Sequence, residues 1–366
     1  MAGKTRIAIV GTNIGCTLHV RALRAAGFEV TALVGRDPER TQARASHFGI
    51  PAALTSVDAA IDSDIDAIVI ATPPGSHHPM TMKALAAGKH VLCEKPLALD
   101  AGEAREMRDA AAESGLVHQV VHPQRWAASH ATARRLLRDG ALGTPLQAAF
   151  TFDHAMLADG TAGMPDWWTH RATGGGWLRN WNAHGIDLIR FIAGEFRAVS
   201  GKVHADASRG MTADDGYVAH FVLDDGIQGT MSGSCRARGF YMESRVIGAN
   251  ATIRFDWASL SLIDGDGSRP VETPAEVARE LLAGGRAVGS PDEALPQAGT
   301  LYEAIHSSDH GFAEEVGLSR AFHNKIRDRG YSHTSIADFS DGVRHMEVIE
   351  AVERSDAEAR WIDLPS

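Results

Sequence analysis

Short apolar segments alternate with segments of helical periodicity through the first third of the chain, and this alternation constrains the fold more than any other feature. The apolar segments are residues 7–10, 29–34, 67–71, 90–93 and 117–121, and helical patterns fill residues 17–26, 38–48, 56–61, 79–87 and 101–114. Apolar runs of this length are typical of strands that are buried on both faces. Strands that alternate with helices at this spacing predict a parallel, doubly wound α/β sheet.

Three of the predicted strands are followed by residues that suit ligand binding, namely Gly11, Thr72 and Lys95. The carboxyl ends of parallel strands lie at one edge of a sheet, and open α/β sheets bind their ligands there. We therefore expect these three strand ends to lie side by side at a single binding edge.

A glycine-rich turn separates the first predicted strand from the first predicted helix. The turn comprises Gly11, Thr12, Asn13, Ile14 and Gly15. A strand, a glycine-rich turn and a helix form the setting in which a dinucleotide pyrophosphate binds a helix N-terminus. Asn13 and Cys16 replace the second and third glycines of G-x-G-x-x-G, although asparagine tolerates left-handed backbone conformations. The turn predicts an NAD(P) site.

The second predicted strand ends at Gly35 and Arg36, where dinucleotide folds that prefer NAD usually place an acid for the ribose 2′-hydroxyl. A guanidinium can bind a 2′-phosphate through two hydrogen bonds. Arg36 therefore favours NADP over NAD. The alternative is that Arg36 is solvated, or stacks on the adenine and has no preference between the two cofactors.

The strand over residues 90–93 stops at Glu94-Lys95-Pro96. Proline fixes its own φ and removes a donor, so the strand ladder ends there, and an X-Pro bond is a candidate for a cis peptide. This rigid bend would hold the Lys95 amine at the binding edge. The alternative is an ordinary solvated lysine in a loop.

Composition excludes several classes of protein. The 36 basic and 46 acidic residues give a net charge of −10, which argues against nucleic acid or an anionic membrane as a partner. The three cysteines are far apart, which suits a reducing cytoplasm, and the first residues show no apolar leader or membrane span. His118 and His122 are too far apart along a strand to bind one metal ion without help, so we predict no metal site.

The length suggests two domains, which we place over residues 1–123 and 124–366, and the sequence pattern changes from Leu146 onward. Alternating strands are predicted over residues 146–152, 199–205, 217–223, 226–235, 244–248, 251–255 and 261–267, with a loop at 164–171 and helices at 129–139, 276–283, 302–329 and 335–355. This predicts an α+β domain whose largely antiparallel sheet is open on one face. Since a wide apolar face seldom stays bare, we expect a dimer or tetramer through that sheet.

Asn180, His184 and Asp187 are spaced four and three residues apart after a run of three glycines, so we expect them to share one helical face. A polar stripe of this kind is typical of a substrate site. The alternative is a solvated helix face behind a capping loop.

With these features together, the chain resembles the Gfo/Idh/MocA family, the relatives of glucose–fructose oxidoreductase and inositol dehydrogenase. The resemblance covers nearly the whole chain and rests on the segments Val10-Gly-Thr-Asn-Ile-Gly-Cys-Thr-Leu-His19, Thr72-Pro-Pro-Gly-Ser-His77, Glu94-Lys-Pro96, Gly175-Gly-Trp-Leu with His184 and Asp187, and Phe339-Ser-Asp-Gly-Val-Arg to Trp361. It implies a Rossmann domain that binds NAD(P) and a C-terminal domain for substrate and self-association. It also implies that Lys95 contacts substrate and nicotinamide and that His184 shares the acid/base work. The family's usual acid four residues before the histidine is Asn180 here, which can hydrogen-bond a substrate but cannot take a proton.

The predicted activity is hydride transfer between the nicotinamide and a hydroxyl-bearing carbon of a sugar, polyol or related small molecule, with Lys95, His184 and Asn180 as the catalytic set. The predicted cofactor contacts are Gly11, Thr12, Asn13, Ile14, Gly15, Arg36, Thr72, Pro73, His77, Glu94 and Lys95. The predicted substrate contacts are Arg125, Trp126, His154, Trp167, Trp168, His170, Asn180, Trp181 and Asp187. Two alternatives stay open: a redox-neutral glycoside hydrolase or lyase that retains its NAD, and a ligand sensor without turnover.

Overall fold

The computed structural model describes residues 4–282 and 311–365, and these fall into two compact units. The chain passes from the first unit to the second between Pro123 and Gln124, and the second unit resumes at Arg344. We predicted that residues 124–366 would all form the second domain. The described residues 311–343 instead group with the first unit.

The helices α1–α5, α11 and the start of α12 belong to the first unit, and the others to the second. Their bounds are α1 (Val20–Ala25), α2 (Pro38–His47), α3 (Val57–Ile61), α4 (His77–Ala86), α5 (Ala101–Ser114), α6 (Ala128–Arg138), α7 (Asp166–Thr169), α8 (Trp177–Asn180), α9 (Asn182–Ala193), α10 (Ala275–Leu282), α11 (Phe312–Arg327) and α12 (Phe339–Glu358). A π-helical turn over Gly15–His19 precedes α1. Across residues 4–282 and 311–365, no helix is long and apolar enough to cross a membrane.

The first unit contains a six-stranded parallel sheet. The parallel arrangement and five of the strands were predicted from the sequence, whereas the short strand over Ala52–Leu54 was not. Its strands are β1 (Arg6–Val10), β2 (Glu29–Val34), β3 (Ala52–Leu54), β4 (Ala67–Ile70), β5 (His90–Cys93) and β6 (His118–Val120). They lie in the order β3-β2-β1-β4-β5-β6, which is the Rossmann order. Strands are added toward one side from β1 to β3 and toward the other side from β4 to β6, so the order reverses between β1 and β4. The strands form because their residues are apolar throughout, and Ile7, Ile9 and Ile68 are completely buried.

Helix α11 belongs to the first unit because its apolar face packs there. Phe312 and Val316 cluster with Ala22 of α1, and the ring of Phe322 lies 5.9 Å from that of Phe28. Sequence order alone gave no sign of this return, since α11 follows the strands of the second unit. The predicted helical residues 302–310 lie outside the described part of the chain.

The second unit contains a nine-stranded sheet. Its strands are β7 (Pro145–Asp153), β8 (Phe196–His204), β9 (Gly216–Leu223), β10 (Gln228–Ser234), β11 (Tyr241–Gly248), β12 (Thr252–Phe255), β13 (Leu260–Asp264), β14 (Gly267–Pro270) and β15 (Ile362–Asp363). The order is β14-β13-β12-β11-β7-β10-β9-β8-β15, and among these pairings only β7 with β10 is parallel. The prediction of a largely antiparallel second sheet is confirmed.

Two local predictions in the second unit were wrong. Residues 164–171 were predicted as a loop, but Pro165 in an extended conformation and Asp166 in the first turn start the short helix α7. The helix expected to run from Asn180 through Asp187 is divided at Trp181 into α8 and α9.

Candidate active site

The ends of β1, β4 and β5 lie side by side at the carboxyl edge of the first sheet. The registers pair Val10 with Ile70 and Ile70 with Cys93, so the residues that follow each strand meet at one edge. This edge includes the point where the strand order reverses, which is where open α/β sheets bind their ligands. The predicted convergence of Gly11, Thr72 and Lys95 at one edge is therefore confirmed.

Gly11 provides the close backbone approach that a dinucleotide cradle needs. It has φ +124°, and a Cβ at this position would lie 2.0 Å from the carbonyl oxygen of Ala71. Any side chain would therefore displace the backbone that follows β4. The turn through Thr12 and Ile14 leads directly into the helical residues that begin at Gly15. The turn from Gly11 to Gly15 therefore fits the pyrophosphate of a dinucleotide.

Asn13 stands in the second glycine position, and its role in the turn is structural. Its side-chain oxygen accepts a hydrogen bond from Arg40 Nη2 at 2.6 Å, and its carbonyl oxygen accepts from the N–H groups of Cys16 and Thr17. Cys16, in the third position, is completely buried. The bond between Arg40 and the Asn13 side chain is one that a glycine at this position could not make.

Side chains pack closely around Gly35, which follows β2 at the place where NAD-specific sites usually carry an acid. A Cβ on Gly35 would lie 2.3 Å from Thr41 Oγ1 and 2.5 Å from Thr12 Cγ2. Arg36 is exposed, and Asp37 accepts the N–H of Arg40 at 3.0 Å as the cap of α2.

His77 connects the loops that follow β4 and β5. Its Nε2 lies 2.7 Å from the carbonyl oxygen of Thr72, and its Nδ1 lies 2.9 Å from that of Pro96. The side chain is completely buried. The ring therefore connects the loops that contain Pro73 and Lys95. Both of its nitrogens contact backbone carbonyl oxygens, so neither is left to bind a cofactor.

The Glu94-Lys95-Pro96 bend contains a cis peptide bond between Lys95 and Pro96, as the sequence suggested. Glu94 is buried, and its Oε2 accepts the backbone N–H of Lys95 at 3.2 Å. Burial lowers the pKa of the Lys95 amine below its ordinary value, and the charge of Glu94 opposes that shift. A half-buried lysine with a lowered pKa can exchange a proton more readily than a solvated one.

In the second unit, Asn180 closes the glycine turn before α9. Its Nδ2 donates to the carbonyl oxygens of Gly174 at 2.9 Å and Gly176 at 3.0 Å, so both amide hydrogens are used within the turn. His184 lies in the first turn of α9 and is 8% exposed. That Asn180 and His184 share one helical face stays a prediction.

Arg125 and Asp187 were both predicted to contact substrate, and the structure joins them to each other. Arg125 Nε and Nη2 donate to the Asp187 carboxylate at 2.7 and 2.6 Å, and both side chains are buried. Arg190 adds a third contact, 3.6 Å from Asp187. This geometry uses the Asp187 carboxylate inside the second unit.

His154 and Trp181, both predicted substrate contacts, lie in one aromatic cluster. Their rings are stacked with centroids 5.8 Å apart, and the ring of Trp177 lies 5.7 Å from that of Trp181 and 6.3 Å from that of His154. Phe240, which is 61% exposed, meets His154 edge-on at 5.9 Å. Burial lowers the pKa of His154 below its ordinary value.

The remaining predicted substrate residues lie in different environments. Trp168 is 1% exposed and Trp126 is 6% exposed, so both are core residues of the second unit. Trp167 is half-buried. His170 is exposed, and its Nδ1 donates to the carbonyl oxygen of Asp166 at 2.7 Å. Contact of these four residues with substrate stays a prediction.

Four side chains near these sites were not identified from the sequence. His19 and Glu315 lie buried beside Glu94, Asp214 accepts the N–H of Leu178 at the start of α8, and Phe240 extends the aromatic cluster. Burial raises the pKa of Asp214 to about 7. Only Phe240 had a local signal, since Phe240-Tyr241 is an aromatic pair after an arginine-rich turn.

Within the second unit, a cavity of about 20 Å³ lies between α9 and the sheet, lined by residues that include Asn182 and Ser232. That space holds about one water molecule, so it is too small for a sugar. Among residues 4–282 and 311–365, no group of three His, Cys, Asp or Glu side chains could hold a metal ion.

Comparison with known proteins defines the class to which this fold and site belong. A family model described as an oxidoreductase family with an NAD-binding Rossmann fold matches residues 5–122, and a GFO/IDH/MocA C-terminal domain model matches residues 130–254. The fold is thus that of an NAD-binding oxidoreductase with a dedicated second domain. The chain belongs to the Gfo/Idh/MocA family.

Individual relatives agree with this assignment. A 1,5-anhydro-D-fructose reductase of Ensifer adhaerens is 35% identical over 211 residues, which span 57% of this chain and 62% of that protein. A levoglucosan dehydrogenase of Pseudarthrobacter phenanthrenivorans is 33% identical over 165 residues, which span 45% and 42%. The chain thus matches about half the length of these curated relatives. A solved levoglucosan dehydrogenase in complex with NADH shares the fold, with a TM-score of 0.83 at 23% identity and 100% coverage of both chains.

Proposed function

We propose that this protein is an NAD(P)-dependent oxidoreductase that transfers a hydride to or from a hydroxyl-bearing carbon of a sugar, polyol or related small molecule. The observation that carries the proposal is the carboxyl edge of the first sheet, where Gly11 packs closely against the backbone that follows β4 and Lys95 follows the neighbouring strand β5. The matched relatives named as sugar dehydrogenases and reductases support the substrate class.

In this proposal the cofactor is NADP rather than NAD. Gly35, which packs against Thr12 and Thr41, supports this preference, because glycine supplies no carboxylate at the position that would accept a hydrogen bond from the ribose 2′-hydroxyl. The exposed guanidinium of Arg36 is then available for a 2′-phosphate. The bound nicotinamide would supply or accept the hydride.

Lys95 and His184 divide the proton chemistry in the proposed reaction. The lowered pKa of the Lys95 amine, caused by burial, suits a group that stabilises a developing alkoxide and exchanges a proton with it. An imidazole such as that of His184 can take the hydroxyl proton and return it. Asn180 orients the turn before α9 through Gly174 and Gly176, so we place it as a positioning residue rather than an acid or base.

The aromatic cluster of His154, Trp177, Trp181 and Phe240 is the proposed substrate platform. Small-molecule sites are lined mainly by apolar and aromatic side chains with a few polar groups. Phe240 and His154 retain accessible surface, whereas the stacked Trp177 has none and supports the other rings. We also propose self-association through the second sheet, because Val218 and Tyr241 are 58% and 51% exposed on the same face.

The experiment is a fluorescence titration of the purified protein with NADH and NADPH, after testing whether a nicotinamide co-purifies. We expect dissociable binding, tighter for NADPH, followed by absorbance changes at the nicotinamide band with some member of a sugar and polyol panel. If the protein binds neither cofactor, the proposed function falls.

One observation supports a second candidate function. The amide of Asn180 stands where a carboxylate is usual, and it is occupied by backbone carbonyl groups. A protein without that carboxylate suits a redox-neutral hydrolase or lyase, or a ligand sensor. A cofactor that stays bound through purification and shows no net redox change would favour the hydrolase or lyase. Cofactor binding without any turnover would favour the sensor.

A further inference from the structure

A buried row of ionisable side chains in the first unit ends at Glu94, beside Lys95. His19 Nε2 lies 2.9 Å from Glu94 Oε1, and His19 Nδ1 lies 3.0 Å from Glu315 Oε1. The side chains of His19 and Glu315 have no exposed surface, and that of Glu94 is 7% exposed. The three residues come from the π-helical turn before α1, from the end of β5 and from α11.

The arrangement fits a positively charged His19. A buried carboxylate is costly unless a cation or hydrogen-bond donors compensate it. His19 Nε2 forms a hydrogen bond with Glu94 Oε1, whereas His19 Nδ1 and Glu315 Oε1 lie within ion-pair distance and are not aligned for a hydrogen bond. A positively charged ring attracts both carboxylates, and a neutral ring does not. One imidazolium between two carboxylates leaves a single net negative charge on the group.

This charge lies next to the lysine of the proposed site. Glu94 uses Oε1 toward His19 and Oε2 toward the backbone N–H of Lys95, at 3.2 Å. The carboxylate is therefore held on both sides and cannot turn away without losing one contact. Its negative charge opposes the effect of burial on the Lys95 amine.

We propose that His19 and Glu315 are positioning residues for Lys95, and that they act by holding the Glu94 carboxylate beside it in a fixed orientation and as part of a net negative group. The proposal deepens the proposed function, since it rests on Lys95 serving the reacting hydroxyl. Neither residue touches substrate in this scheme.

The charged groups that face His19 are Glu94 from the end of β5 and Glu315 from α11. Arg21, two residues further along the same helical segment, lies over the ring of Phe312 with its guanidinium carbon 4.5 Å from the centroid. The charge of Glu94 acts on the Lys95 amine and opposes the effect of its burial. Removal of one carboxylate from the row should therefore change the proton affinity of the Lys95 amine through Glu94.

The first test measures the charge of His19 in the wild-type protein and uses one variant only to assign its signal. Nitrogen-15 NMR of histidine-labelled protein distinguishes imidazolium from neutral imidazole, and a His19→Gln spectrum assigns the resonance. We expect the His19 ring to remain an imidazolium at about pH 8, well above the ordinary histidine range. A neutral His19 ring at about pH 7 would overturn the proposal.

The second test measures the proton affinity of Lys95 directly, by the pH dependence of its labelling with an amine-reactive anhydride and mass spectrometry. Glu315→Gln keeps the shape of the side chain and removes its charge, so the Lys95 ammonium loses stabilisation. We expect the labelling of Lys95 at about pH 8 to rise several-fold, because more of the amine is deprotonated. Glu347→Gln is the control, since Glu347 is another buried carboxylate, paired with Arg344 at 3.0 Å in the second unit.

Equal labelling of Lys95 in wild type and Glu315→Gln would overturn the proposal, whether or not the protein turns over a sugar. If the wild type has turnover, Glu315→Gln should also lower kcat with little change in KM and shift the pH profile. If the labelling shifts but the wild type turns over no member of the panel, the coupling of the row to Lys95 stands and the proposed function fails.

Discussion

Arg125 and Asp187 form a buried, two-point ion pair, with nitrogen–oxygen distances of 2.7 and 2.6 Å. The pair joins the 3₁₀ turn at the start of the second unit to α9, the helix that carries His184. Its cost of desolvation is balanced only while both partners are present. The two residues therefore hold α9 in place, and we expect their effect on activity to come through folding.

Asp187→Asn should lower the free energy of unfolding by about 3 kcal/mol, because it leaves the Arg125 guanidinium buried without its counter-charge. Urea denaturation measures this change. Asp159→Asn is the control, since Asp159 pairs with Arg238 at the surface and should change stability by less than about 1 kcal/mol. Unchanged stability of Asp187→Asn with a raised KM would instead make Asp187 a substrate contact.

Gly11→Ala should abolish cofactor binding, because its Cβ would collide with the carbonyl oxygen of Ala71 at 2.0 Å. Fluorescence titration with NADPH measures binding, and a thermal melt reports folding. Gly239→Ala is a matched control: Gly239 has φ +127°, close to the +124° of Gly11, but nothing lies within 4 Å of its Cβ position. If both variants bind NADPH as the wild type does, Gly11 is not part of a cofactor cradle.

Arg36→Ala should weaken NADPH binding by about tenfold and leave NADH binding nearly unchanged, since a single exposed charge–phosphate contact is lost. Paired titrations with the two cofactors give the ratio. Arg269→Ala removes the same charge from an exposed position in the second unit and serves as the control. An equal loss of affinity for NADPH and NADH would show that Arg36 does not bind the 2′-phosphate.

The stability of the protein should fall between neutral and alkaline pH because of His19. Burial alone lowers the pKa of a histidine, but the neighbouring carboxylates of Glu315 and Glu94 outweigh it and raise the pKa of His19 from 6.5 to about 10. A pKa that is raised on folding stabilises the protein fully below the unfolded value, and this contribution is lost as the pH rises through the folded value. Urea unfolding of wild type and His19→Gln should show the difference shrinking from about pH 6.5 to about pH 10. A constant difference would contradict an imidazolium at this position.

The strand ends of the first sheet were predictable because turn residues are local signals. Gly11 and Pro96 end their strands for reasons that their own backbone dihedral angles dictate, and the predicted cis bond at Lys95-Pro96 is present. The parallel order follows from the alternation of strands and helices. No tertiary information was needed for these features.

The partners of the ionisable side chains were not predictable, since they depend on contacts between distant segments. From the sequence, Arg125 and Asp187 were each expected to contact substrate, whereas they form an ion pair with each other. Glu315 lies on a helix that was predicted to belong to the second domain but groups with the first unit. The division between α8 and α9 was missed for a local reason. The Asn180 amide binds the carbonyl groups of Gly174 and Gly176, and such side-chain bonds compete with a continuous helix.

The most direct test of the central claim is the rate of the chemical step in Lys95→Met, measured in a single turnover with NADPH or NADP and a sugar or polyol that the wild type accepts. Lys83→Met, which removes an exposed lysine paired with Asp58, is the control. We predict that Lys95→Met binds the cofactor as the wild type does and that its chemical step is slower by on the order of a thousandfold. A Lys95→Met variant that turns over at the wild-type rate would contradict the assignment of Lys95 to the reaction.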